Sequence, residues 1–125
     1  MVSITLYEYA AVLQRVVDGD TVILDIDLGF GVWKRGESFR LYGINAPEMR
    51  GASKVAGQAA KTYLMALLMH QLEHTEPLLV RTHKADKQDK YGRYLATLWL
   101  PGGLNVNGEM VRAGHAVPYM VEASL

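Results

Sequence analysis

The chain has 125 residues, half of them hydrophobic, and its 13 basic and 13 acidic side chains cancel to a formal net charge of zero. This length supports a real core, the hydrophobic content excludes a disordered chain, and no apolar run approaches the ~20 residues that a membrane span needs. The absence of cysteine excludes disulfides and thiolate chemistry, and the zero net charge argues against tight non-specific polyanion binding but leaves a local basic cleft open.

Residues 1–5 do not form a basic segment followed by an apolar one. We therefore expect a single domain over residues 1–125, without a secretion signal and without membrane association. The expected location is cytoplasmic, or one that the sequence does not specify.

The first predicted strand runs from residue 7 to 17, and Asp18-Gly19 predicts a tight hairpin after it. Asp20 then stands at the mouth of the returning strand, residues 21–28, as either a turn residue or a ligand. Apolar residues alternate with aspartates along that strand, which predicts one buried and one wet face: Leu24, Ile26 and Leu28 against Asp25 and Asp27.

Residues 29–33 predict a long hairpin tip that leads into the third strand. Phe30 and Trp33 either fold back on the barrel or form an exposed apolar contact for a partner subunit.

The third strand ends in the segment 39–48, which carries an arginine, an amide and an acid. Alternation predicts Phe39 and Leu41 on one face and Arg40 and Tyr42 on the other, and Pro47 stiffens the turn that follows. Held this way, Arg40, Asn45 and Glu48 converge on one small volume. The alternative interpretation is a surface ion pair between Arg40 and Glu48.

A helical period follows from Ser53, a plausible N-cap, to about His70. Two adjacent apolar stripes are predicted on it: Val55, Ala59, Tyr63 and Leu67, and beside them Ala56, Ala60, Leu64 and Leu68. His70 and His74 have the spacing of metal ligands, but a zinc site needs three or four ligands and no third one is evident, so we do not expect zinc.

Strands are predicted at 78–82 and 94–100, separated by a run with five cations and two acids between Arg81 and Arg93. Such a run usually forms a solvated loop, but here it also contains Tyr91, which suits a loop that contacts phosphates and bases. Asn105 is expected to cap a short helix through Arg112, with Gly114 after it. Five strands with a helix after the third favour an OB-fold, a small Greek-key barrel.

Several segments occur in a specific order: VDGDT (17–21), FRL and APE (39–41, 46–48), DKYGR and LA (89–93, 95–96), VN and VRxGxA (106–107, 111–116). Together they resemble the staphylococcal nuclease (thermonuclease) family over roughly residues 10 to 118. The resemblance implies an α+β OB-fold, a five-stranded Greek-key barrel with a helix after strand 3 and a short C-terminal helix. It also implies a metal-dependent endonuclease that hydrolyses single-stranded or denatured DNA and RNA to 3′-phosphate products.

The resemblance also assigns roles to individual residues. Three residues correspond to calcium ligands: Asp20, Asn45 and, through its carbonyl, Ala46. Glu48 corresponds to the acid that holds or deprotonates the attacking water. Four residues correspond to phosphate contacts: Arg40 and Arg93 at the scissile phosphate, and Lys90 and Tyr91 at its neighbour.

Two features depart from the family's best-known member. Asn45 stands where that member has a carboxylate, which removes one negative charge, so Mg²⁺ or Mn²⁺ remain alternatives to Ca²⁺. The chain also lacks the long C-terminal helix and has a longer hairpin around Phe30 to Trp33. We expect that hairpin, or the second subunit of a homodimer, to cover the surface that the long C-terminal helix would otherwise cover. A catalytically inactive nucleic-acid-binding module remains the alternative function.

Overall fold

The computed structural model describes residues 6–74, 76–88 and 92–119. It contains seven strands, a short 3₁₀ helix and two α-helices within those ranges. In chain order these are β1 (Glu8–Asp18), β2 (Thr21–Gly29), β3 (Val32–Leu41), β4 (Ile44–Asn45), the 3₁₀ helix (Gly51–Ser53), α1 (Lys54–His74), β5 (Leu78–Gln88), β6 (Tyr94–Trp99), α2 (Val106–Arg112) and β7 (Val117–Pro118). None of the helices in the described part of the chain is both long and apolar enough to cross a membrane.

Five of the strands close into a barrel in the order β1-β2-β3-β6-β5. All neighbours are antiparallel except β3 and β6, which run parallel. Helix α1 follows β3, the third strand of this barrel, and α2 follows its last strand. The predicted OB-fold, with a helix after strand 3 and a short C-terminal helix, is confirmed.

Alternation predicts the third strand correctly and the second strand only in part. Phe39 and Leu41 lie in the core, as expected. Asp25, expected on the wet face, is instead 3% exposed, and it accepts a hydrogen bond of 2.8 Å from the Gly36 amide. The β2–β3 register shifts at this point, because β3 carries an extra residue there. The bulge turns the Gly36 amide toward the carboxylate, so burial of Asp25 leaves it hydrogen-bonded.

Helix α1 packs on the barrel through a narrower stripe than the sequence predicts. Its fully buried side chains are Ala60, Leu64 and Leu68, in line with the buried Gly57. Val55 is 83% exposed, and Ala56 and Ala59 are also exposed, so the predicted stripes are wrong at the start of the helix. There α1 approaches the chain segment after β4 through Gly57, and these three side chains are left exposed.

Ser53 does not act as the predicted N-cap. It lies at the end of the 3₁₀ helix, and its hydroxyl donates to the Glu48 carbonyl at 2.8 Å and to the Arg50 carbonyl at 3.3 Å. Helix α1 continues past His70 to His74, but the side chains of these two residues are outside the described set, so the zinc expectation is not addressed.

The tip between β2 and β3 stands in solvent. Phe30 is fully exposed with φ of 59°, and Gly31 follows with φ of 74°. Trp33 is 37% exposed and carries the Arg35 guanidinium 4.9 Å above its ring. Of the two alternatives given for Phe30, folding back on the barrel is therefore wrong, because its side chain is fully exposed.

The second half of the chain differs from its predicted pattern at two points. Strand β5 continues through residues 83–88, which we expected to be loop. Residues 117–118, for which no element was predicted, form β7 and pair with β4. Asn105 does cap α2, accepting from the Gly108 amide at 3.0 Å, and Gly114 follows the helix with φ of 83°.

Candidate functional site

An open cleft of about 960 Å³ lies where the β1–β2 turn, the end of β3, the β4 segment and the start of β6 meet. Six of the residues predicted for the site line it: Asp20, Arg40, Asn45, Ala46, Glu48 and Arg93. Lys90 and Tyr91, predicted as substrate contacts, lie outside the described residues.

Asp20 is fixed in the turn between β1 and β2. Its backbone amide donates to Asp18 Oδ1 at 3.1 Å, which confirms Asp18 as a turn residue. Its side chain turns inward, where Oδ2 accepts from the Ala46 amide at 2.9 Å and Oδ1 accepts from the Thr21 hydroxyl at 3.2 Å. Burial raises the pKa of Asp20, and the Ala46 hydrogen bond and the Arg40 charge oppose that rise. The carboxylate is therefore buried, oriented and partly compensated.

Arg40 crosses the cleft floor next to Asp20. Its Nη2 donates to Asn45 Oδ1 at 3.0 Å and lies 3.6 Å from Asp20 Oδ2. The Arg40 side chain is only 13% exposed, and its guanidinium lies 5.1 Å from the centre of the Tyr119 ring. The interaction with Asp20 is therefore shielded from water and geometrically restrained.

Two oxygens of ligand type thus converge on one cationic nitrogen. Asp20 Oδ2 and Asn45 Oδ1 both face Arg40 Nη2, and the Ala46 carbonyl belongs to the same segment. In the described part of the chain, no three His, Cys, Asp or Glu side chains cluster closely enough to hold a metal by themselves. The Asp20 carboxylate beside amide and carbonyl oxygens is a donor set that suits hard ions such as Ca²⁺ and Mg²⁺.

Glu48 lies on the cleft rim with its side chain 72% exposed. Its described ion-pair partner is Arg50, with Nε 3.6 Å from Oε2, whereas Arg40 pairs with Asp20. The alternative interpretation of an Arg40–Glu48 surface pair is therefore wrong. Two such exposed groups interact weakly, so the Glu48 carboxylate is available to water in the cleft.

Arg93 enters the cleft at the start of β6. Its Nη1 donates to the Thr21 hydroxyl at 3.2 Å, and that hydroxyl in turn donates to Asp20. Arg93 and Asp20, 73 positions apart in the sequence, are thereby joined through one side chain. Thr21 is 4% exposed and was not predicted as a site residue, although it belongs to the segment VDGDT.

Tyr119 and Arg15 also line the cleft and were not predicted. The Tyr119 amide donates to the Gly43 carbonyl at 2.8 Å, beside the β4–β7 pairing, which places its ring under Arg40. The only sequence signal for Tyr119 is an aromatic residue in an otherwise unpatterned tail. A two-residue strand pairing across more than 70 positions leaves no periodic pattern.

Comparison with known proteins identifies a matching family and several related proteins. The family described as staphylococcal nuclease homologue matches residues 38–124. The chain is similar to the thermonuclease of Staphylococcus intermedius, 33% identical over 107 residues, which are 83% of this chain and 56% of that protein. It is also similar to the endonuclease YhcR of Bacillus subtilis, 30% identical over 122 residues, which are 91% of this chain and 9% of that protein.

A third relative is an uncharacterized protein of Methanocaldococcus jannaschii, 28% identical over 134 residues, or 90% of this chain and 60% of that protein. The chain therefore spans about half to three fifths of two of these relatives and a small part of the third.

Proposed function

We propose that this chain, which belongs to the staphylococcal nuclease homologue family, hydrolyses phosphodiester bonds of nucleic acid in the cleft around Asp20. One observation carries the proposal. Asp20, Arg40 and Arg93 are held together in one cleft by direct contact and through Thr21, with Glu48 on its rim.

The two arginines suit the charge that hydrolysis creates. Attack on a phosphodiester builds negative charge on the phosphoryl oxygens, and a planar guanidinium donates two parallel hydrogen bonds to such oxygens. Arg40 lies on β3 and Arg93 lies directly before β6, so the scissile phosphate would lie between them. One pre-aligned donor of this kind typically contributes about 10²–10³-fold in rate.

Asp20, Asn45 and the Ala46 carbonyl are the residues that would hold a divalent cation. When bound, such an ion neutralises charge on the phosphate and lowers the pKa of water. Ca²⁺ is proposed, with Mg²⁺ or Mn²⁺ as alternatives, since only one of the three ligands carries a charge. Asp20 keeps its orientation through the Ala46 amide, so the carboxylate direction does not depend on the ion.

Glu48 is proposed as the general base. Its carboxylate is exposed toward the cleft, within reach of solvent, and a positioned base contributes about 10²–10⁴-fold. The substrates proposed from the family resemblance are single-stranded or denatured DNA and RNA, cleaved to 3′-phosphate products. Two relatives, a thermonuclease and an endonuclease, bear names that agree with this class of reaction.

A nucleic-acid-binding module without catalysis is the competing function. Asn45 favours it, because an amide contributes only a dipole where a carboxylate contributes a full charge to cation binding.

Cleavage of denatured DNA and of RNA, measured with Ca²⁺, Mg²⁺, Mn²⁺ or chelator, tests the proposal. We expect cleavage with added metal and none with chelator. Arg93→Lys should lower kcat by roughly 10²–10³-fold with little change in nucleic-acid affinity, because lysine keeps the charge but not the fork. Arg35→Lys, in the β2–β3 hairpin away from the cleft lining, is the matched control. Absence of cleavage with all three metals would favour the binding module.

A further inference from the structure

The backbone of Glu48 lies directly on the first turns of α1. A Cβ atom at Gly57 would be 2.4 Å from the Glu48 carbonyl oxygen, 2.6 Å from its carbonyl carbon and 2.8 Å from the Met49 amide nitrogen. Ordinary contacts to a Cβ begin near 3.4 Å, so a side chain at this position would require these atoms to shift. The atoms that block it are backbone atoms, which cannot rotate away as a flexible side chain would.

Gly57 has no need of glycine for its own conformation. It lies inside α1 and has no positive φ, and alanine favours a helix interior over glycine. Glycine here makes the helix less stable than alanine would, and the close contact with the Glu48 backbone explains why glycine is nevertheless present. A second contact fixes the same carbonyl, which accepts from the Ser53 hydroxyl at 2.8 Å.

A second glycine, Gly19, makes a similar close approach to Ala46 and to α1. A Cβ atom at Gly19 would be 2.7 Å from both Ala46 Cβ and Ala60 Cβ. The segment between β4 and the 3₁₀ helix is thus held between the β1–β2 turn on one side and α1 on the other. Asp20, Ala46 and Glu48 all belong to this layered contact.

We infer that Gly57 is a positioning residue that sets the depth of the 45–49 segment in the cleft and thereby places the Glu48 carboxylate. Among the described residues, the exposed Glu48 side chain pairs only with Arg50, so the position of its backbone sets where the carboxylate can reach. This inference rests on the proposed function, in which Glu48 acts on the water that attacks the phosphate.

Gly57→Ala tests the inference. The methyl group requires the Glu48 carbonyl to move by about 1 Å, and a displacement of that size near the reacting groups can cost about 10²-fold in rate. We expect kcat to fall about 10- to 100-fold with KM changed less than about 3-fold. Gly108→Ala is the matched control, because it is also a helical glycine and its Cβ would meet only ordinary contacts of 3.7 and 3.8 Å.

Measuring the effect of Gly57→Ala on kcat in the Glu48→Gln background shows whether the change acts through Glu48 or by disturbing the fold in general. If Gly57 acts through Glu48, Gly57→Ala should cost less than about 3-fold further when Glu48 is already glutamine, because the two changes remove the same contribution. An equal loss in both backgrounds, or wild-type kcat in folded Gly57→Ala, would overturn the inference.

A readout without substrate keeps the inference distinct from the proposed function. Amide hydrogen exchange at Ala46, whose N–H is bonded to Asp20, should accelerate in Gly57→Ala and stay unchanged in Gly108→Ala. If the wild type cleaves nothing, the proposed function fails, and exchange at Ala46 alone decides whether Gly57 places the segment. Unchanged exchange would overturn that placement.

Ser53→Ala provides a second variant in case Gly57→Ala does not fold. It removes only the hydroxyl that donates to the Glu48 carbonyl, on a residue outside α1. We expect kcat to fall several-fold in the wild type and to change little in Glu48→Gln. Unchanged kcat in Ser53→Ala, with Gly57→Ala unfolded, would overturn the inference as well.

Discussion

Asn107→Ala should destabilise the barrel far more than a typical polar substitution. Strand β6 pairs with β3 only as far as Ala96, opposite Leu41. Beyond that point the Asn107 side chain takes the place of β3: its Oδ1 accepts from the Leu98 amide at 3.1 Å, and its Nδ2 donates to the carbonyls of Tyr42 at 2.9 Å and Ala96 at 3.0 Å. Asn107 is 5% exposed, so water does not replace these bonds easily.

The magnitude follows from which backbone groups lose their partner. The Ala96 carbonyl keeps a bond, because it also accepts from the Tyr42 amide at 2.8 Å. The Leu98 amide and the Tyr42 carbonyl lose theirs, and each unpaired buried group costs about 1–3 kcal/mol. Tyr42 is partly exposed, so water can hydrate its carbonyl and lower the free-energy cost of leaving that group unpaired. We expect a loss of about 3 kcal/mol in the free energy of unfolding, or about 10 °C in Tm.

Urea denaturation followed by circular dichroism measures this loss. The matched control is Asn105→Ala, in which the neighbouring asparagine loses one exposed capping bond worth about 1 kcal/mol. A loss for Asn107→Ala no larger than that of Asn105→Ala would refute the assignment of Asn107 as the substitute for β3.

Three further predictions address the metal, the acid stability and the oligomer. Asn45→Asp should lower the Ca²⁺ concentration that half-stabilises the protein in thermal melts, and Asn45→Ala should raise it; a turn role for Asn45 predicts no shift. Hydrogen bonds from Arg112 and then Tyr63 lower the pKa of Glu109 to about 2, so its contribution to stability is present above the ordinary pKa of 4.5 and is lost as the pH falls toward 2. Glu109→Gln should flatten the wild-type stability curve between those pH values, and parallel curves would contradict this. The homodimer stays a prediction. A solution mass equal to that of a monomer at high protein concentration, measured by size exclusion or scattering, would reject it.

The barrel could be predicted because its signals are local. Alternation or a turn signal marks most of the barrel strands, as in the segment 39–41, where Phe39 and Leu41 are buried as expected. Asp25 was mispredicted because a β-bulge adds one residue to the partner strand, and no pattern in β2 itself reveals that. The hydrophobic period of the sequence therefore predicts strands, but it does not predict the bulges in their pairing.

The candidate site was predictable where its residues lie in short motifs and not where contacts between distant segments build it. Asp20, Arg40 and Arg93 could be named from motif resemblance, and the cleft brings them together. Tyr119 could not, because its place depends on a two-residue strand that pairs with β4. Gly57 is likewise unremarkable within its helical sequence, and only the approach of the Glu48 backbone explains it.

The charge of the cleft bears on how a neutral chain could bind the polyanionic substrate proposed for it. Among the residues that the structure describes, four arginines and three acids line it: Arg15, Arg40, Arg50 and Arg93, with Asp18, Asp20 and Glu48. The excess of one positive charge is small, and Arg40 is already engaged by Asp20. A cation held by Asp20 and Asn45 would take over neutralisation of that carboxylate and leave the Arg40 guanidinium for phosphate. Metal binding and phosphate binding at this cleft are therefore expected to reinforce each other, since both depend on Asp20 releasing Arg40.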